Sequence, residues 1–367
     1  MSAGARPAVR ADLRSMAGYH SPQVDVDVRL NTNESPLEPP PEFTAALAEG
    51  LRGIAWNRYP DRSAAELRAA IAAAHPGVGP DEVFVANGSN EVLQTLCLTF
   101  GGAGSAVAVF EPTYAMYAQI ARTTQCRVVE VERDDEYRVA PAAVAEVVAA
   151  DRPALLFLCL PNNPTGTAET PETVTAALAV GDGVVVVDEA YGQFAGFSAL
   201  ELRDRPGAAD RLVVVRTFSK TWALAGLRLG YAIAPAWMVA EFDKVVLPYH
   251  VDSFKQLAGR LALRFSAEMD ERVAAVVVER TRVSAALAEM GLRVWPSEAN
   301  FVLVSTTPTG HRGDDVWQGL LDRSVLVRNF SSRPRLADCL RVSVGTSDEN
   351  DRLLSAAADV LAGRPAP

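Results

Sequence analysis

The stretch RLVVVRTFSKTWALAGLRLGYAIA (residues 211–234) decides the fold. It reads as two apolar strands, RLVVVR (211–216) and LGYAIA (229–234), joined through a lysine, a glycine and an arginine. Strands that are apolar on both faces belong to a sheet covered by helices on both sides. The joining lysine is unusual in this chain. Of 35 basic residues only Lys220, Lys244 and Lys255 are lysines, and the other 35 − 3 = 32 are arginines. One of three lysines therefore stands where a buried strand ends.

Working outward, the same alternation runs from about residue 83 to 234. VFVA (83–86), AVAVF (106–110), RVVEV (127–131), LLFLCL (155–160) and VVVVD (184–188) complete a set of seven strand segments. Between them lie helical segments such as SNEVLQTLCLTF (89–100) and PETVTAALAV (171–180). This is the rhythm of βαβ units and predicts an α/β fold, a mostly parallel seven-stranded sheet between helices. After about residue 250 the pattern changes to a long helical region (253–290). Strands follow at RVW (293–295), NFVLV (300–304) and LRVSV (340–344), with helices around 313–322 and 347–361. That predicts a smaller α+β domain over 251–367, a large domain over 43–250, and an N-terminal arm, 1–42, riding with the small domain.

Bulk properties narrow the function. The net charge of −10 argues against an electrostatic grip on nucleic acid or an anionic membrane, though not against small anions. No stretch of about 18 apolar residues is present, and MSAGARPAVRADLR (1–14) lacks a signal-peptide core, so a cytoplasmic protein is expected. Cys97, Cys126, Cys159 and Cys339 are scattered without metal-ligand spacing and predict reduced thiols. His20, His75, His250 and His311 form no HExxH or Cys/His cluster, and no metal site is expected.

Ligands of open α/β sheets bind beyond the carboxyl ends of strands, so those loops carry the chemistry. Strand 83–86 is followed by NGSN and a helix beginning near Ser89. Glycine permits close approach and a helix N-terminus attracts phosphate, although a plain helix cap accounts for the segment equally well. Neither GxGxxG nor GxxxxGK[ST] is present. Strand 106–110 leads to Tyr114 and Tyr117, which are either core or a ligand-stacking surface. Strand 155–160 ends in PNNPTG (161–166), a rigid turn that also offers an Asn amide. Strand 184–188 ends in Asp188, with Tyr191 three residues on. A carboxylate there is costly to bury without a partner. It either caps the turn or meets a cationic ring nitrogen. Lys220 lies in the same layer, with Thr217, Ser219 and Arg228 beside it. An ion pair is the default for a lysine, but a desolvated ammonium has a lowered pKa and can form a Schiff base. Together these strand ends ask for one ligand bearing a phosphate, a protonated ring nitrogen, a ring hydroxyl and an aldehyde, which describes pyridoxal 5′-phosphate (PLP).

At this point the chain closely resembles a known family. RLNTNESP (29–36), RYPD (58–61), NGSNEVLQ (87–94), PNNPTG, VVVDEAYGQF (185–194), TFSKTWALAGLRLGY (217–231), NFVLV, VLVRNF (325–330) and CLRVSVGTSDEN (339–350) occur in the order seen in class I/II aminotransferases of fold type I. GYHSPQ before LNTNESP, and VLVRNF before LRVSVGT, resemble the histidinol-phosphate aminotransferase branch. The resemblance implies that Lys220 holds PLP covalently and shuttles the substrate proton, and that Asp188 keeps the ring nitrogen protonated. Asn163 and Tyr191 would bond the ring oxygen, and Tyr114 would stack on the ring. Ser89, Asn90, Thr217, Ser219 and Arg228 would hold the phosphate, joined by Tyr59 from a second subunit, which implies a homodimer with shared active sites. The substrate residues carried over are Arg341, Arg328, Tyr19 and Asn33. Arg341 would take the glutamate carboxylate, and Arg341, Arg328 and Tyr19 the phosphate of the other substrate.

One departure stands out. After LPYH (247–250) the family usually continues with an apolar residue and a small Ser or Asn, where this chain has VDSFKQ with Asp252 and Lys255. A carboxylate near a phosphate pocket would disfavour an anionic substrate, whereas a helix cap would leave the pocket untouched. The expected activity is therefore histidinol-phosphate transamination with glutamate. The alternatives are an aromatic or other amino-acid aminotransferase and, in another reaction class, a phosphothreonine-type decarboxylase. A PLP-binding regulatory module would need a DNA-binding appendage for which an acidic chain of 367 residues has no length left.

Overall fold

Residues 7–14, 16–18 and 22–366 are described in the computed structural model. Among them twelve strands occur: β1 (Val28–Leu30), β2 (Val83–Ala86), β3 (Ala106–Glu111), β4 (Arg127–Glu132), β5 (Leu155–Cys159), β6 (Val184–Asp188), β7 (Leu212–Thr217), β8 (Gly230–Ile233), β9 (Arg293–Val294), β10 (Phe301–Ser305), β11 (Val325–Asn329) and β12 (Cys339–Ser343). The seven segments read as strands between 83 and 234 fall on β2–β8 to within one residue at each end.

β2–β8 form one seven-stranded sheet in the order β2-β8-β7-β6-β5-β3-β4. β8 runs antiparallel to both neighbours, and the other pairs are parallel. The period-2 geometry of a strand divides its valines between two cores. Val184, Val186, Val213 and Val215 pack on one face with helices Ser89–Phe100, Met116–Thr123 and Ala236–Phe242. Val185, Val187 and Val214 pack on the other with helices Pro141–Asp151 and Pro171–Ala179. Each such buried valine contributes roughly 1.5–3 kcal/mol. A single charge on these strands would be placed in one core or the other, which is why the polar residues wait for the strand ends.

The second sheet has five strands in the order β1-β11-β12-β10-β9. Its core packs against helices Ser266–Glu289, Gly313–Leu321 and Ser347–Leu361. Two of its strands were not legible as such. β1 is only three residues long and pairs in parallel with β11, whose sequence VLVRN follows a helix without a turn signal strong enough to mark it. Helix Pro41–Leu51 begins inside the proline-rich segment, with Pro41 at its first position where the missing N–H costs nothing. Helix Ser253–Ala262 contributes Ala258 and Ala262 to the core formed by Phe43, Leu67, Ile71 and Tyr231, so it packs beside the large sheet.

All four cysteines are buried and free. Among the described residues no helix is long and apolar enough to cross a membrane, and no group of His, Cys, Asp and Glu stands together as a metal site.

Candidate active site

Lys220 lies three residues beyond the end of β7 and is partly buried. Its Nζ donates to the Thr32 carbonyl at 3.2 Å and sits 5.7 Å from the centre of the Tyr191 ring. Burial, and then the Arg341 guanidinium, lower its pKa to about 8, against an opposing pull from Glu34. An ammonium so placed releases its proton far more readily than a surface lysine, which is what a nucleophilic amine requires.

Asp188 closes β6 and is buried. Its Oδ2 accepts from the Tyr117 hydroxyl at 2.8 Å and its Oδ1 from the Ala190 N–H at 3.0 Å. Burial raises its pKa to about 6, opposed by these two donors. Among the described residues no cation lies within ion-pairing distance of it. Tyr191 accepts from Asn33 Nδ2 at 3.1 Å, and burial pushes its phenol well above the usual range.

A second group gathers at the start of helix Ser89–Phe100. Thr217 Oγ1 donates to Ser219 Oγ at 3.0 Å, and Arg228 Nη1 donates to the same oxygen at 3.4 Å. Gly88 has φ +84°, and a Cβ there would meet Arg228 Nη2 at 2.9 Å. A Cβ on Gly230 would lie 2.5 Å from the Ser89 nitrogen. Glycine at both positions thus leaves a cradle between a helix N-terminus, two hydroxyls and a guanidinium, a donor set suited to phosphate. Asn90 accepts from the Tyr114 hydroxyl at 3.1 Å, which ties the next loop to this one.

The second sheet supplies the anion-binding side. Arg328 on β11 and Arg341 on β12 are direct partners across an antiparallel ladder, so both point to one face. Arg341 Nη1 donates to Asn163 Oδ1 at 2.5 Å and Nη2 to the Asn31 carbonyl at 2.8 Å. Its guanidinium also lies over the rings of Phe301 (5.2 Å) and Phe330 (5.5 Å). A cavity of about 780 Å³ opens elsewhere, beside Ala154, Gly183 and Arg211 at the amino ends of β5, β6 and β7. None of the residues above lines it.

The family described as Aminotransferase class I and II matches residues 25–356. The chain belongs to the class I and II aminotransferases. This aminotransferase is 45% identical to the histidinol-phosphate aminotransferase of Frankia casuarinae, over 97% of this chain and 90% of that one. It is 40% identical to that of Corynebacterium diphtheriae, over 96% of both. The crystal structure of histidinol-phosphate aminotransferase from Sinorhizobium meliloti in complex with pyridoxal-5′-phosphate superposes with a TM-score of 0.86. It covers 98% of this chain and 99% of its own, and at 23% identity shows the shared fold.

Within the aminotransferase, Lys220, Asp188, Tyr191, Asn163, Arg341 and Asn33 are brought together, and Ser89, Thr217, Ser219 and Arg228 form the cradle beside them. Tyr59 is elsewhere: it is 81% exposed and stacks on Tyr249, ring centres 4.5 Å apart. Tyr19 lies outside the described residues. Asp252 caps helix Ser253–Ala262 by accepting from the Lys255 N–H at 2.8 Å, and its other oxygen pairs with Lys255 Nζ. Both charges of the departure are spent on that helix start.

Sequence reasoning missed several contributors. Thr32 and Asn31 act through backbone carbonyls, which no residue type announces. Ser343 donates to Asn33 Oδ1 at 2.8 Å and Asn300 to the Asn33 carbonyl at 3.1 Å, holding Asn33 at φ +55°. Tyr117 was noticed as an aromatic, but its hydroxyl had no assigned partner until the helix after β3 placed it on Asp188.

Proposed function

We propose that this aminotransferase is a histidinol-phosphate aminotransferase of histidine biosynthesis, converting imidazole acetol phosphate and glutamate to histidinol phosphate and 2-oxoglutarate, with PLP as cofactor. The observation that carries the proposal is the placing of two arginines, Arg328 and Arg341, on one ladder face, with Arg341 joined to the Lys220 layer through Asn163. Near-full-length identity of 40–45% to relatives bearing that name supports the substrate.

The residues fit the cofactor. The glycine-lined cradle of Ser89, Asn90, Thr217, Ser219 and Arg228 suits its phosphate, and the buried Asp188, with no ion-pair partner among the described residues, suits a protonated ring nitrogen. Asn163 and Tyr191 would meet the ring oxygen, Tyr114 the ring face, and Lys220 the aldehyde. When bound, PLP supplies an electron sink for the pair left as a proton leaves the substrate Cα. Lys220 is the base that takes that proton, and its lowered pKa readies it for the task. Asn33, Arg328, Arg341 and Tyr19 would bind the substrates. Arg341 suits either the glutamate carboxylate or a phosphate, since a guanidinium donates in parallel to both anions.

Tyr59 completes the proposal as a phosphate ligand reaching into a second copy's site. Trp56, Tyr59 and Leu247 are each more than 70% exposed and Tyr249 underlies Tyr59, an apolar surface that a homodimer would cover. A cytoplasmic location belongs to the same reading.

The test is a half-reaction screen. The PLP-loaded enzyme is mixed separately with histidinol phosphate, glutamate, phenylalanine and tyrosine, and loss of the cofactor's visible absorbance is followed. Rapid conversion by histidinol phosphate and glutamate is expected. Strong reaction with phenylalanine and none with histidinol phosphate would replace the proposal with an aromatic aminotransferase.

A further inference from the structure

Tyr117 is fully buried, and its hydroxyl is spent on a carboxylate. A buried tyrosine needs some acceptor, and in most cores a backbone carbonyl serves. Here the acceptor is Asp188 Oδ2, the carboxylate assigned above to the cofactor's ring nitrogen. The phenol ring has little freedom. It stacks on Phe157 with centres 5.1 Å apart and planes 7° from parallel, and it meets Tyr114 edge-on at 5.5 Å. Tyr114 is the residue expected to cover the cofactor ring. Tyr117 thus buttresses two cofactor-facing groups from behind, one through its hydroxyl and one through its ring edge.

On the reading that PLP is the cofactor, we propose that Tyr117 is a positioning residue, whose hydroxyl, with the Ala190 N–H, fixes the plane of the Asp188 carboxylate toward the ring nitrogen and keeps it ionised. The two donors occupy different oxygens, at 2.8 and 3.0 Å, so rotation of the carboxylate breaks both bonds. Each oxygen retains a further lone pair. A hydrogen bond to the charged form of an acid favours that form, and a charged acceptor is what holds a proton on a ring nitrogen. A structural role alone would have Tyr117 fill space between Phe157 and Tyr114, and the hydroxyl would then be dispensable to cofactor recognition.

Tyr117→Phe separates these readings because it keeps the ring. Apoenzyme affinity is measured for PLP and for its 1-deaza analogue, in which CH replaces the ring nitrogen. The variant should melt within a few degrees of the wild type. It should bind PLP about tenfold more weakly, the scale of one hydrogen bond to a charged group, while binding the deaza analogue as the wild type does. Turnover should fall by about tenfold or more with the KM for the amino donor little changed. In an Asp188→Asn background, adding Tyr117→Phe should produce no further loss of PLP affinity. Equal losses for PLP and the deaza analogue, no loss for either, or additive losses with Asp188→Asn would each overturn the assignment of Tyr117. A wild-type apoenzyme that fails to bind PLP would overturn the cofactor reading with it, so the two failures are distinguishable.

Discussion

Arg341 and Asn163 stand 178 residues apart in the chain and meet at 2.5 Å, guanidinium to amide oxygen. One is expected to hold substrate and the other cofactor, so neither site is independent of the other. Arg341→Ala and Asn163→Ala should therefore be non-additive. A double-mutant cycle in kcat/KM for glutamate should give a coupling of about 1–3 kcal/mol. Strict additivity would show that the contact has no part in turnover.

Arg328 faces the same side of the ladder one strand away but lacks the bond to Asn163. Arg328→Ala should cut kcat/KM for histidinol phosphate by roughly ten- to a hundredfold, the loss of one charge-assisted contact, and glutamate turnover far less. Equal losses on both substrates would argue against a phosphate role.

The amine of Lys220 should titrate near 8 rather than at the ordinary 10.5. The rate at which apoenzyme captures PLP covalently should rise with pH through about 8 and then level off. Because the folded value is depressed, Lys220 holds more protons in the unfolded chain between about 8 and 10.5, so its own contribution to stability rises with pH across that window. The buried Cys97, Cys159 and Cys339 thiols, raised by burial, pull the other way. Lys220→Met should abolish the capture and remove the lysine's contribution, so the wild-type-minus-variant difference in urea melts should grow with pH between about 8 and 10.5. A capture midpoint near 10.5 would contradict the burial argument.

If Tyr59 serves the second copy's site, two inactive variants should rescue one another. In a mixed dimer of Tyr59→Ala and Lys220→Ala, one site has neither residue and the other has both. Random assortment makes half the dimers mixed, so about a quarter of wild-type activity should appear at limiting PLP. No recovery after mixing and reassociation would place Tyr59 outside the neighbouring site.

The larger sheet was legible because most of its strands are almost wholly apolar, and burial on both faces leaves that composition little choice; edge strand β4, RVVEVE with Arg127, Glu130 and Glu132 exposed, is the exception. The strand-end residues Lys220, Asp188 and Asn163 were legible for the converse reason: polar groups that close apolar strands need a ligand or a partner. What stayed hidden was carried by backbone or by long-range pairing. The carbonyls of Asn31 and Thr32 have no side-chain signature, and β1 acquires its partner 297 residues later, at Val325. Tyr117 was ambiguous because an aromatic three residues after another on a helix looks like core whether or not its hydroxyl is used.

Asp252 was the residue that put the substrate in doubt, and its geometry makes it a helix cap. Asp252→Ala should lower stability by about 1 kcal/mol, the cost of an N-cap. The preference between histidinol phosphate and phenylalanine should stay unchanged in the half-reaction. A shift in that preference would return the carboxylate to the pocket.

The bonds around Asn33 have a consequence for biosynthesis. Asn33 and Ser343 are separated by 310 residues, and the neighbouring carbonyls of Asn31 and Thr32 reach Arg341 and Lys220. Contacts of such sequence separation form late, after the loops between them have been closed. A ribosome that has released the seven-stranded sheet has still not delivered the strand that bears Arg341. On the proposed reading, the nascent chain would have the cradle of Ser89, Thr217, Ser219 and Arg228 before Arg341 reaches Asn163, and competence for turnover would come only when its beginning and its end have met.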